Sequence, residues 1–205
     1  MYVGYASGVP ARVKRLSRTE SVAQTRTRLL DAAEEVFAEQ GFGATTLERI
    51  AERAGYTRGA VYANFASKDD LFLAVLDRWL DEDISRGGRI NEESPSVGDA
   101  LARLRELDGN RFADQGRFLL LTEFRLYALR NPAVAPRLAE YERRCLAWYA
   151  DVIRSWSPDP PVPAERLAAI VLAMENGIAT LAHVAPDAVR HDAFIDALEM
   201  LTGLR

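Results

Sequence analysis

The stretch Thr45 to Lys68, TTLERIAERAGYTRGAVYANFASK, reads as two short helices joined by a tight turn, with a cap at the start of each. Thr45 stands at the N-cap position of the first helix and Glu48 follows three residues later. In that pattern a hydroxyl and a carboxylate satisfy each other's exposed backbone amides. Leu47, Ile50, Ala51 and Ala54 recur at helical spacing on one apolar face, while Arg49, Glu52 and Arg53 point elsewhere. Gly55 closes this helix, since glycine takes the left-handed conformation without a Cβ penalty, and Thr57 is placed to cap a second helix. The resulting turn is that of a helix-turn-helix.

The second helix, from Arg58 to Phe65, turns Ala60, Val61 and Phe65 inward. Thr57, Arg58, Gly59, Tyr62 and Asn64 remain to offer hydroxyls, a guanidinium and an amide. Such a helix suits a major groove, its start reading base edges and its hydroxyls and amides holding phosphates. Gly59 costs roughly 1 kcal/mol against alanine inside a helix, which points to a close approach of its backbone to another helix or to DNA. An ordinary three-helix core with its polar residues in water is the other reading of these residues.

The chain resembles the TetR family of transcriptional regulators from Thr25 to Trp79, through a first helix ending in AEQGF and then ATTLERIAERAGYTRGAVYANFASKDDLF. The resemblance implies an all-α homodimer, with an N-terminal helix-turn-helix DNA-binding domain followed by a helical effector-binding and dimerisation domain. It also implies roles for particular residues. Thr45 and Thr46 match the DNA-contacting start of the second helix, and Thr57, Arg58 and Gly59 the start of the recognition helix. Tyr62 matches a phosphate-contacting tyrosine, and Lys68 a lysine that opens the fourth helix. Tyr56 and Asn64 depart from the commonest pattern, which has a small aliphatic residue and a histidine there.

With 205 residues, 48% of them hydrophobic, the chain can bury one large core or two small ones. Its net charge is −4, unevenly spread. Arg12, Lys14, Arg15, Arg18, Arg26 and Arg28 face only Glu20 in the first thirty residues, so a basic arm precedes an acidic body. Residues 1–20 read as a flexible basic tail, either without a role or supplying arginines to phosphates or the minor groove. A secretory signal and a membrane span are not expected, which places the protein in the cytoplasm. Cys145 is the sole cysteine and is read as a small buried hydrophobe rather than a sensor.

Outward from the central stretch, a helix from Val22 to Gln40 carries Leu29, Leu30, Ala33, Val36 and Phe37 on one side, and Gly41 stops it. Domains are expected over 21–66 for DNA binding and 67–205 for effector binding and dimerisation. Ser67 caps the next helix, whose Leu71, Phe72, Val75, Leu76, Trp79 and Leu80 make a surface wide enough for two neighbours. Gly87 to Val97, GGRINEESPSV, reads as a loop. Further helices are expected over Ser96–Asp108, Gly116–Arg130, Ala133–Trp156, Ala164–Val184 and Asp187–Leu204.

Two surfaces follow. Ile170, Met174, Ile178, Leu181, Phe194, Leu198 and Leu201 stripe the last two helices and predict a four-helix dimer interface. Trp79, Phe118, Thr122, Arg125, Tyr141, Trp148, Glu175 and Asn176, with Leu104, Leu121, Phe124, Cys145, Tyr149 and His183, have the make-up of a small-molecule pocket. Core packing is the competing explanation for each. His183 and His191 are too far apart for metal ligands on one helical face, and no nucleophile motif or phosphate-cradling loop is present. Neither enzyme activity nor a cofactor or metal is expected. The expected function is a ligand-responsive regulator that binds a pseudo-palindromic, double-stranded operator as a homodimer and is released by a small-molecule effector. A repressor is the main reading, and an activator shares the same contacts. The alternative is a small-molecule-binding or protein-interaction module of the same fold without operator binding.

Overall fold

The computed structural model describes residues 17–111, 114–157, 159–160, 162–190 and 193–202. Nine helices and no strand occur among them: α1 (Arg18–Ala44), α2 (Leu47–Ala54), α3 (Arg58–Asn64), α4 (Lys68–Glu93), α5 (Val97–Arg111), α6 (Gln115–Arg130), α7 (Ala135–Trp156), α8 (Ala164–Val184) and α9 (Ala193–Thr202). The chain is all-α, with the helix-turn-helix at its amino-terminal end. The tail over residues 1–16 and His191 lie outside the described residues.

Helix α1 starts earlier than its apolar pattern suggests, because Ser17 and Glu20 form the reciprocal capping box. At Gly41 the helix breaks, with φ 76°, and resumes for one short turn. The break drives Phe42 inward, where its ring meets Phe72 at 5.1 Å, Phe124 at 4.9 Å and Tyr127 at 4.8 Å. Thr45 does not cap α2. Its hydroxyl donates to the Gly41 carbonyl at 2.7 Å and its residue is 2% exposed, so the cap falls to Thr46, which accepts from the Arg49 amide. Helix α2 ends at Gly55 in the left-handed conformation. The Tyr56 and Gly55 amides donate back to Ala51 and Glu52, the paired bonds of a Schellman motif.

The segment 87–93 is helical, contrary to the loop expected there: α4 runs through Gly87 and Gly88 to Glu93. A β-carbon on Gly87 would come within 3.1 Å of Trp148, so one glycine of the pair is the contact point of α4 with α7. The last helix is shorter than expected and begins at Ala193.

Two cores form. The first joins α1, α2, α3 and the front of α4 with Leu120, Phe124 and Ala128 of α6 and Val134 and Leu138 around the start of α7. The second joins Ile90, Ala100 and Leu101 to Tyr149, Ile153, Leu167, Val171, Phe194, Ile195 and Leu198. Helices α4, α6 and α7 therefore tie the helix-turn-helix end to the rest. Phe194 and Leu198, expected on the interface stripe, belong instead to this inner core, being 2% and 6% exposed. Met174, Ile178 and Leu201 are half-buried against it. Ile170 and Leu181, joined by Val184 and Met200, stand exposed. By length and composition α8 could cross a bilayer, with a mean hydropathy of 1.6, yet only 28% of that apolar window is buried.

Candidate DNA-reading head and ligand cavity

Helix α3 is short and held at both ends. Thr57 caps its start by accepting from the Ala60 amide. At its other end Arg26 donates to the Asn64 carbonyl at 3.1 Å and lies over the Phe65 ring. Between these ends Arg58, Gly59 and Tyr62 are exposed, as is Thr46 on α2. The Arg58 guanidinium pairs with Glu48 at 2.8 Å and donates to the Tyr62 hydroxyl at 3.1 Å. That hydroxyl and the Glu48 charge hold the Arg58 pKa above its ordinary value. Among the described residues, a β-carbon on Gly59 would meet only the Thr57 hydroxyl, at 3.7 Å, and no other helix approaches it. Its bare backbone stays open on the outer face.

Three of the expected DNA contacts take other roles in the protomer. Thr45 is buried, as described. Asn64 turns its amide back to the Ala60 carbonyl at 2.8 Å. Lys68 donates to the Phe42, Gly43 and Thr45 carbonyls, which are left exposed where α1 breaks. An ammonium has three protons, and all three are engaged. Burial lowers the Lys68 pKa, against the pull of Asp69 and Glu123.

The same break is gripped from the other side by Glu123, a residue that no local pattern singled out. Its carboxylate accepts from the Phe42 amide at 2.9 Å and the Gly43 amide at 2.8 Å. The φ of +76° favours glycine at position 41, and a β-carbon there would come within 2.8 Å of that carboxylate, so any larger residue would also push Glu123 off the joint. Helix α6 thus holds the joint between α1 and α2 by two charge-assisted bonds.

On its other face α6 lines a cavity of about 640 Å³. Seven of the eight residues expected there do line it: Trp79, Phe118, Arg125, Tyr141, Trp148, Glu175 and Asn176. Leu121, Cys145, Tyr149 and His183 join them. Thr122 does not, because its hydroxyl folds back to the Phe118 carbonyl at 2.8 Å. Phe124 is core, and Leu104 faces a separate chamber. Arg125 is fixed by Glu142 at 2.7 Å and by Asn176 at 2.7 Å, joining α6 to α7 and α8. Tyr149 donates to Glu175. Trp79 donates to Glu34 at 2.7 Å, and Arg78 also binds Glu34, so this carboxylate links α1 to the cavity wall. The Nε2 of His183 is buried and has no hydrogen-bond partner among the described residues, while its ring lies 4.8 Å from Phe118. Burial pushes the Cys145 thiol up to about 12, and Tyr141 well above the usual phenol value, so neither is poised to react.

An all-α chain with an exposed, capped helix-turn-helix at one end and an aromatic-lined cavity behind it has the architecture of a regulator that reads DNA and senses a small molecule. The profile of bacterial regulatory proteins of the tetR family matches residues 29–75, and that of BetI-type transcriptional repressor C-terminal regions matches residues 101–202. The chain is 30% identical over 178 residues to the HTH-type transcriptional repressor BepR of Brucella suis biovar 1 (strain 1330), covering 79% of this chain and 82% of that protein. Several other relatives match over 91 residues, 41–42% of their length. Among solved structures, Salmonella enterica GusR superposes with a TM-score of 0.64 at 26% identity, over 93% of this chain and 98% of that one. The regulator FadR from Bacillus subtilis in complex with stearoyl-CoA shares the fold, with a TM-score of 0.68 at 16% identity over 87% and 99%. The chain belongs to the TetR family of transcriptional regulators, and its function is that of a ligand-responsive, DNA-binding transcriptional regulator.

Proposed function

We propose that this protein is a repressor that binds a pseudo-palindromic operator as a homodimer and leaves it when a small molecule fills the cavity beside Trp79. The observation that carries the reading is that one helix serves both ends. Helix α6 lines the cavity with Phe118, Leu121 and Arg125 and holds the α1–α2 joint with Glu123. A ligand that rearranges α6 changes how that joint is held, and with it the seating of α3. A second connection runs from Trp79 on α4 to Glu34 on α1, which supports α4 as part of the lever. The ligand shifts the balance only by its differential affinity for the two arrangements.

Thr46, Thr57, Arg58, Gly59 and Tyr62 form the surface offered to DNA, with the Gly59 backbone free to come close to a phosphate or base. Lys68 and Thr45 act on DNA through the joint they hold. A homodimer through α8 and α9 is supported by the exposed side chains of Ile170, Leu181, Val184 and Met200 and by the mostly unburied apolar length of α8. Covering these residues with their counterparts would remove apolar surface from water on both copies. Two α3 helices then enter successive major grooves roughly 34–36 Å apart. The cytoplasm, where DNA is accessible, is its site of action.

The test is a paired substitution, Ile170→Glu with Leu181→Glu. Sedimentation is expected to give a dimer for the parent and a monomer for the variant, with operator affinity lower by at least a hundredfold because only half-sites remain. A variant that stays dimeric, or a monomer that keeps full affinity, would contradict the proposal.

A further inference from the structure

Between positions 45 and 68 the chain carries Arg49, Arg53, Arg58 and Lys68 as its cations, and all of them are engaged within the protomer. Arg49 stands 3.4 Å from Glu52, Arg53 stands 2.9 Å from Glu35 and 2.7 Å from Glu39, and Arg58 stands 2.8 Å from Glu48. Lys68 spends its protons on backbone carbonyls. On α1, by contrast, Arg18 and Arg28 are exposed and meet no carboxylate among the described residues. Unguarded charge for phosphates thus lies on α1, while each arginine of α2 and α3 meets DNA with a carboxylate beside it.

Glu48 is the carboxylate of this set that the fold does not need where it stands. Glu35 and Glu39 tie α1 to α2 through Arg53, and Glu52 pairs within its own helix. Glu48 would complete a capping box with Thr45, but Thr46 takes the cap and Arg49, not an acid, is the residue whose amide it accepts from. An acid in the first turn of α2 is favoured by the helix dipole wherever its side chain points. This one reaches across the turn to Arg58, its only ion pair among the described residues, on a face where both side chains are about half exposed.

A phosphate and a base pair make different demands on that couple. A phosphate attracts Arg58 but repels Glu48 at close range and offers it no donor. A G·C pair suits both, since guanine O6 and N7 accept from a guanidinium fork and the cytosine N4 amino group donates to a carboxylate. Of the five N–H groups of Arg58 the Tyr62 hydroxyl takes one, so the fork can meet both guanine acceptors while Tyr62 still orients it.

We propose that Glu48 is a specificity-determining residue: it holds Arg58 back from phosphates and admits a G·C pair, whose guanine takes the guanidinium and whose cytosine amino group faces the carboxylate. This rests on the reading of α3 as the helix that enters the major groove, and adds the base pair it selects and the residue that enforces the choice.

The experiment measures affinity for the operator recovered by selection, for operators with each base pair replaced in turn, and for random duplex of equal length, across a salt series. In the parent, one G·C pair in each half-site is expected to stand out, its replacement by A·T costing about tenfold or more. Glu48→Gln keeps the size of the side chain and removes its charge. At low salt it should tighten random duplex about tenfold and operator only severalfold, so that the ratio between them falls, and the salt slope on random duplex should steepen by about one. In an Arg58→Ala background the same change should shift operator and random duplex by equal factors, because no guanidinium remains to be misdirected. A purely structural Glu48 would instead lower the melting temperature and leave the ratio alone. An unchanged or higher ratio in Glu48→Gln, an operator with no G·C pair whose replacement matters, or the same fall in ratio without Arg58 would overturn the proposal and leave operator binding standing. Recovery of no preferred sequence would strike the operator reading itself, and the proposal with it.

Discussion

Arg58 and Arg125 are both arginines whose Nε points at a glutamate, at 2.8 Å and 2.7 Å respectively, yet they do opposite work. The Arg58–Glu48 pair is 61% and 46% exposed, and the Arg125–Glu142 pair 24% and 26%. An exposed pair contributes about 0–1 kcal/mol and is readily exchanged. A pair out of water costs several times more to break, because the remaining charge is left without a counter-charge. Arg58 is therefore free to leave Glu48 for a base edge or phosphate, with Tyr62 keeping it oriented. Arg125 is a strut that holds α6, α7 and α8 around the cavity. On the proposed function the same chemical pair is a reader at one end of the molecule and a frame at the other, and burial decides which.

Breaking the buried pair should give the largest effect. Glu142→Ala is expected to destabilise the protein by about 2–3 kcal/mol, read by urea denaturation, because Arg125 keeps its charge in a half-buried site. A loss below 0.5 kcal/mol would show that Arg125 is solvated and no strut. Next comes Arg58→Ala, expected to weaken operator binding by about 1–3 kcal/mol while the melting temperature stays unchanged. Equal loss on operator and on random DNA would demote Arg58 from base reading to phosphate contact. Glu48→Gln should tighten operator binding severalfold at low salt, by removing the competitor for Arg58 and a negative charge from the DNA face, and lose that gain as salt rises.

A smaller effect concerns the thiol behind the strut. With its folded pKa raised to about 12, Cys145 stays protonated where an unfolded thiol ionises. The thiol's contribution is thus fully present below the ordinary thiol value near 9, and is lost as pH rises from there toward 12. Labelling by a thiol reagent at pH 8 should accordingly be far slower in the native protein than in urea. Fast native labelling would mean that the cavity opens to solvent.

The reading head was legible in the sequence because its signals are local. Gly55, Thr57 and the apolar spacing of Leu47, Ile50 and Ala51 each act within a turn or two. Position 45 misled by one residue, since two adjacent threonines compete for the cap and only the packing against the Gly41 carbonyl decides that Thr45 goes inward. The glycine pair at 87–88 was misread as a loop for a related reason. The Trp148 ring, far along the chain on α7, explains Gly87, while nothing in the structure explains Gly88. Glu123 left no local trace, because the amides it binds lie some eighty residues earlier. Most of the cavity wall was found from side-chain type alone, but Thr122 was misplaced because its hydroxyl satisfies its own helix. Likewise, the apolar stripe of α9 could not by itself say which side faces the protomer's core, and Phe194 and Leu198 proved to be on the inner side.

The most direct measurement is a selection of genomic fragments bound by the purified protein, followed by affinity on the best fragment across a salt series. We expect an inverted repeat with half-sites one helical turn apart, bound by one dimer, with log affinity falling steeply and linearly against log salt. Recovery of no shared sequence, with weak binding of the same strength to every fragment, would contradict the account.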